Sequence, residues 1–462
     1  MAVSLGARIM KTPLLQLAFV SIALLVPGCG KKDGAAPGNV TPLRETSFTE
    51  VTSQLDPGGT VYGYLATDQW LSGLHTNVAA WSELVSTFPG VDPSDRENVR
   101  VAMDSLAHII ETSGVEHLTG VGFSGIQITP ELHRTKLVLH HRSGKGDGIF
   151  WNVLGRKSHA LDGLNLLTTN TAVAAFGDVD VPMVWETLAA ELENSGVPDV
   201  AQTLTNWPVW FEEHTQIAWA NFLESLGGEV GMVITLDESH PMPVPFSEGL
   251  HVPEPGLLLV VKVKDDALYN VISSKMKDSG MARLTDEKEL KVTAIRVPIP
   301  MPLDLELTVA STKGYLFVAS SSALVRGALD CANGRQPGLR ERADVAELLK
   351  YLPSDGNQFF YVDRRFMGTI QSVQKALLAK GDSNAAQSQL IDRLMLSQKP
   401  AFGMAVGRRT TTGWESVCVG SQDSATAFLA APAVGGAAMI SAMVVPAIAK
   451  MKAQAESAGE QP

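Results

Sequence analysis

Ten histidines and three cysteines are scattered through 462 residues, and their spacing limits the chemistry they support. His140 and His141 are adjacent in a strand-like stretch, so they point to opposite faces, and no third ligand stands near enough to complete a metal site. Gly122-Phe-Ser124-Gly125 lacks the Gly-x-Ser-x-Gly spacing of a nucleophile elbow and reads as a turn or bulge. Ser274-Lys-Met-Lys277 places a lysine one helical turn from a hydroxyl, but no partner motif follows, and a solvated helix face explains it better. Ser143-Gly-Lys145-Gly-Asp147-Gly148 misses the upstream glycine and the trailing hydroxyl of a phosphate loop. It reads as a hairpin turn between Leu137–His141 and Ile149–Val153. No catalytic residue, metal or cofactor is assigned.

Three features carry weaker expectations. Cys331 and Cys418 are candidates for a disulfide if the chain reaches an oxidising compartment, or else for two buried thiols serving as small apolar side chains. Trp207, Trp210 and Trp219, with Phe211 and Phe222, form the densest aromatic run. They are candidates for ligand or lipid contact, against the plainer reading of a contact between a helix starting near Trp210 and a sheet. Asp178 with Asp180, and Asp265 with Asp266, read as helix caps rather than paired catalytic carboxylates.

The elements that must position these residues begin with the chain's ends. Arg8 and Lys11 precede an apolar stretch from Leu14 to Val26, closed by Val26-Pro27-Gly28-Cys29, which is the pattern of a signal peptide over residues 1–28. A cysteine directly after Gly28 resembles the lipobox of bacterial lipoproteins. The resemblance implies cleavage before Cys29 and acylation of that residue, and two or more acyl chains give stable anchoring. Residues 29–55 then hold the lipid site and a flexible tether, rich in glycine and charge near its start. Gly30 is not the aspartate associated with inner-membrane retention, which leans toward the outer membrane.

At the other end, residues 425–451 carry no charge until Lys450, and 428–449 is long enough to span a bilayer as a helix. Pro432 and Pro446 weaken it. Residues 442–455 resemble the end of a type IV pilin stem, locally and without the preceding motif, so assembly into a pilus is not implied. Residues 452–462 form a polar tail. The net charge of −12 speaks against nucleic acid as a partner.

Between the ends, an apolar strand followed by a capping residue and an amphipathic helix recurs four times, starting near Thr171, Gly256, Gly314 and Gln358. This predicts an α+β fold: repeated strand-helix units on mixed or antiparallel sheets in two similar halves, residues 56–240 and 256–424, plus the C-terminal hydrophobic helix. The five prolines of 241–255 read as the linker between halves. The runs Gly314 to Asn333, Leu339 to Leu352 and Phe359-Phe-Tyr-Val-Asp363 resemble the bacterial envelope proteins grouped as domain of unknown function 3352. That family has no established activity, so the resemblance implies no chemistry.

The expectation is a membrane-anchored lipoprotein of the cell envelope, facing the periplasm or cell surface, with a binding or scaffolding role. It would meet the membrane through Cys29 and the helix 428–449, and a protein or other envelope partner through its body. The alternative is a hydrolase-like envelope enzyme whose site is not legible in spacing.

Overall fold

Alternating apolar residues recur along the chain at strand spacing, and they build one sheet. The computed structural model describes residues 46–86, 93–194, 198–244, 249–278, 283–287, 290–297, 305–312, 314–380 and 400–422. Its strands are β1 (Val61–Ala66), β2 (Leu118–Gln127), β3 (His133–His141), β4 (His159–Ala160), β5 (Thr171–Asp178), β6 (Leu226–Pro243), β7 (His251–Val263) and β8 (Arg283–Glu287). They continue with β9 (Leu290–Val297), β10 (Leu305–Thr312), β11 (Tyr315–Ala319), β12 (Asp355–Gly356), β13 (Gln358–Val362), β14 (Gly403–Thr410) and β15 (Gly413–Gly420).

The helices are α1 (Phe48–Thr52), α2 (Asp68–Leu71), α3 (Leu74–Ser86), α4 (Pro93–Ser113), α5 (Ile149–Asn152) and α6 (Val181–Asn194). They are followed by α7 (Pro198–Thr215), α8 (Trp219–Ser225), α9 (Ala267–Asp278), α10 (Ser322–Ala332), α11 (Ala343–Leu349) and α12 (Arg364–Lys380). The class is therefore α+β.

Thirteen strands form one sheet in the order β1, β2, β3, β15, β14, β13, β5, β6, β7, β11, β10, β9, β8, while β4 and β12 pair separately. Neighbours in the large sheet are antiparallel throughout. Exchange β2 with β10, β3 with β11, β5 with β13, β6 with β14 and β7 with β15, and the run from β2 to β10 reads the same from either end. The centre of that order is the β5/β13 pair, where Ala175 faces Phe360.

All four expected strand-helix junctions form: β5 into α6, β7 into α9, β11 into α10, and β13 into α12. Residues 241–255 are not a linker. Pro241, Met242 and Pro243 pair with Pro253, Val252 and His251 at the far end of the β6/β7 hairpin, beyond a register shift between Asp237 and Pro241. Proline is tolerated there because the ladder is ending and fewer N–H donors are needed. The segment Ile149–Asn152 is a helix rather than a strand, entered from Gly148 at φ 92° and fixed by fully buried Trp151. Gly122 to Gly125 lies inside β2, not in a turn. The glycine at 122 leaves room for Val51 and Leu55 of the α1 segment.

The main core covers one face of the sheet. Phe176, Phe359, Tyr361, Met404, Val260 and Phe317 point toward Val325 and Ala328 of α10, Val345 and Leu348 of α11, and the turns holding Leu164 and Leu339. Each such side chain contributes about 1.5–3 kcal/mol by leaving water. On the opposite face α9 packs Tyr269 and Met276 on Val263, Val309 and Leu316, and Trp151 meets Leu71 and Trp414. Cys29, residues 30–45 and the run 428–449 lie outside the described residues, while the rest of the expected tether, 46–55, is folded, with Val51 and Leu55 buried against Val138. Among the described residues no helix is long and apolar enough to cross a membrane.

Candidate functional site

The aromatic run folds into a cluster shared by three helices. Asp180 caps α6 by accepting from the Met183 N–H at 3.0 Å, which sets Trp185 one turn in. The helix read as starting near Trp210 instead begins at Pro198 and breaks at Gln216, whose φ is 60°, before α8 starts at Trp219. That break folds α8 back against α7. Trp219 then sits centrally, its ring 4.9 Å from Trp185 and Phe211, 5.0 Å from Phe222 and 6.2 Å from Trp207.

Trp207 and Trp210 stack on each other at 4.9 Å, and His214 stacks on Trp210 at 4.4 Å. They are 38% and 47% exposed, and Val209 between them is exposed too. The cluster therefore joins helix to helix and keeps an open aromatic face. Helices α7 and α8 contain no lysine or arginine, while Glu212 and Glu213 are exposed. A rigid indole pair on helices that lack lysine and arginine suits an interface with one apolar and one wet side.

Polar groups gather at both ends of the central β5/β13 pair. At one end Asp363, almost fully buried, accepts from Arg342 Nη1 at 2.6 Å, Arg365 Nη2 at 2.9 Å, the Arg365 N–H at 2.8 Å and the Tyr361 hydroxyl at 3.2 Å. Burial alone would raise its pKa, but the hydrogen bonds from Arg365 and Arg342 outweigh it and hold the carboxyl below its usual range.

At the other end, both Asp178 oxygens lie 3.0 Å from His159 Nε2, and Asn357 Nδ2 donates to Oδ2 at 3.0 Å. His159 Nδ1 faces the Ala160 carbonyl at 2.8 Å, so both ring nitrogens meet acceptors. Burial opposes protonation, yet the Asp178 hydrogen bond leaves the imidazole pKa raised. Asp178 is thus a hydrogen-bonding centre and not a cap, whereas Asp265 does cap, accepting from the Ala267 N–H at 2.9 Å. Asp266 binds Lys291 at 2.7 Å and Ser311 at 2.5 Å.

No family model, curated protein or solved structure matches this chain. Its chemistry rests on its own residues.

Cys331 and Cys418 are free thiols. Cys331 lies near the end of α10, which packs on the main-core face, while Cys418 precedes core-facing Val419 on β15 and so points to the opposite face of the sheet. The two thiols stand on opposite sides of the sheet, and the candidate pairing does not form. Among the described residues no three His, Cys, Asp or Glu side chains converge as metal ligands. His140 bonds to Thr119 at 2.8 Å and His141 to Arg409, both buried. Sequence spacing missed the His159–Asp178 contact because loop and strand meet only through folding; the aspartate at the strand end was its sole visible sign.

Proposed function

We propose that the chain is a membrane-anchored lipoprotein of the bacterial cell envelope, held through acylated Cys29, with a binding or scaffolding role in the periplasm or at the cell surface. The observation that carries this reading further is the exposed Trp207–Trp210 stack. Indole rings favour the headgroup zone, where the ring is apolar and its N–H finds water or carbonyls. Sixteen residues separate Cys29 from Thr46, a reach of at most about 55 Å, so the body can lie against the bilayer that holds its lipid. The resemblance to lipoproteins supports the anchor. The symmetric strand order supports reading the body as two similar halves, with the join near Lys264 instead of 241–255.

Incorporation of radiolabelled palmitate tests the anchor: the full chain is expected to take up label and Cys29→Ser is not, and an unlabelled full chain would sink it. Flotation with zwitterionic vesicles tests the aromatic face. The soluble Cys29→Ser form is expected to co-float, brominated lipid is expected to quench its tryptophan emission, and Trp207→Ser/Trp210→Ser is expected to abolish both.

A further inference from the structure

Residues 142–148 leave β3 as a largely exposed turn, and two histidines hold it to the body. Gly146 is the buried point of the turn, so close to the His141 ring that an added Cβ would meet the imidazole. Its N–H donates to His117 Nδ1 at 3.4 Å, and its carbonyl accepts from Arg409 Nη2 at 3.5 Å and from Asn152 Nδ2 at 3.2 Å. Arg409 Nη1 in turn donates to His141 Nε2 at 3.0 Å and to the Gly413 carbonyl at 2.8 Å. Asn152 belongs to α5, the next element of the same chain segment. The Gly146–His117 and Arg409–His141 bonds instead tie the turn to the entry of β2 and to β14, and both end on a histidine lone pair.

A protonated imidazole has no lone pair, and at this distance from Arg409 it would set two cations together. Of the charges facing His141, those of Arg409 and His117 oppose a proton, and that of Asp147, exposed on the turn itself, favours one. Arg142 is turned to Asp68 at 3.4 Å, and His140, the neighbour on β3, bonds to Thr119 at 2.8 Å. Burial, with Arg409, outweighs the Arg142 carbonyl and Asp147, so the closed turn keeps His141 neutral. Once released, the ring returns to the ordinary value of 6.5, and each pH unit below that favours release by up to about tenfold.

We propose that turn 142–148 is an acid-released latch, which protonation of His141 and loss of the His117 acceptor free from Arg409 while the sheet stays folded. Gly144 and Gly148, at φ 74° and 92°, give the turn its freedom to swing. β3, β15 and β14 stay joined by backbone ladders that no proton touches. Release uncovers the Arg409 guanidinium and the edge of Trp151, whose ring lies 4.7 Å from His141 and is fully buried while the turn is closed.

Hydrogen exchange read by mass spectrometry tests this on the full-length chain in detergent at pH 7.5 and 5.0, corrected for the intrinsic pH dependence of exchange. Peptides spanning 142–152 are expected to lose protection about tenfold at pH 5.0, while peptides from β14 and β15 keep theirs. In His141→Gln, whose amide oxygen still accepts from Arg409 but takes no proton, the loss is expected to shrink to under about threefold, and in His117→Gln to shrink in part. His117 is only partly buried, so its variant decides the matter where His141→Gln does not fold. Unchanged protection of 142–152 in the wild type, an acid loss equal in the wild type and the variants, or loss in β14 and β15 together with the turn overturns the proposal.

Discussion

Arg409 Nη1 donates to His141 Nε2 at 3.0 Å. A guanidinium has no acceptor, so Nε2 presents its lone pair, and the Nδ1 N–H donates to the Arg142 carbonyl at 2.9 Å. His141 is thereby neutral, its ring 4.7 Å edge-on to Trp151, with the guanidinium of Arg409 5.5 Å from the same indole. Burial first, and then the charge of Arg409, push its pKa below 6.5; burial does the same for His140.

A histidine with a depressed folded pKa takes up its proton more readily when unfolded. Its stabilisation is present above about pH 6.5 and is lost as pH falls through the window between the unfolded and folded values. The slope is at most about 1.4 kcal/mol per pH unit for each proton. Denaturant midpoints at pH 7.5 and 5.5 are expected to fall less in His141→Gln than in the wild type. An identical acid-side loss in both would remove His141 from the account.

The opposite sign holds at His159, whose raised pKa stabilises the fold below about pH 6.5 and ceases to do so as pH rises through the folded value. With its side chain over a third exposed, the effect is small. His159→Gln is expected to flatten the alkaline side of the same curve between pH 6.5 and 8, read by the same denaturant midpoints.

Asp363 neutralises Arg342 and Arg365 inside the fold. Asp363→Asn keeps the shape and removes the charge, taking from Arg365 its anion and leaving Arg342 only Asp344, at a cost of about 3–5 kcal/mol. Equilibrium denaturation of this variant beside Arg342→Met checks it. A loss under 1 kcal/mol for Asp363→Asn would show that the arginines find other partners.

Phe176 stacks on Phe359 at 5.0 Å and fills the space above Gly231, where an added Cβ would meet its ring. Gly231→Ala is expected to displace that ring at about 1–3 kcal/mol. The cost should shrink in a Phe176→Leu background, and strict additivity of the two substitutions would contradict the contact.

Burial pushes the Cys418 thiol up to about 11, while Cys331, near the surface of α10, is raised less by the same cause. In a Cys29→Ser chain, a thiol reagent at pH 8 is expected to label Cys331 faster than Cys418. Two thiols should titrate in denaturant without reductant, and none would mean a disulfide.

The four strand-helix junctions were legible because their signals are local: alternating apolar residues, then an aspartate or serine, then a helical repeat. The aromatic run at Trp207 to Phe222 was likewise visible as composition. The turn read at Gly122–Gly125 failed because glycine there makes room for Val51 and Leu55 across the sheet, a reason that is not local. The Pro-rich segment 241–255 failed similarly, since only pairing to a partner strand shows where a ladder ends.

What the sequence by itself determined is the acidic balance and the strand-helix grammar, the latter set by neighbours within a few turns. Tertiary structure alone decided which strands meet. It set His141 against Arg409, turned Cys331 and Cys418 away from each other, and left Trp207 and Trp210 facing outward. The physical reason is that burial and long-range pairing select register and face, and neither is encoded in the spacing of any one segment.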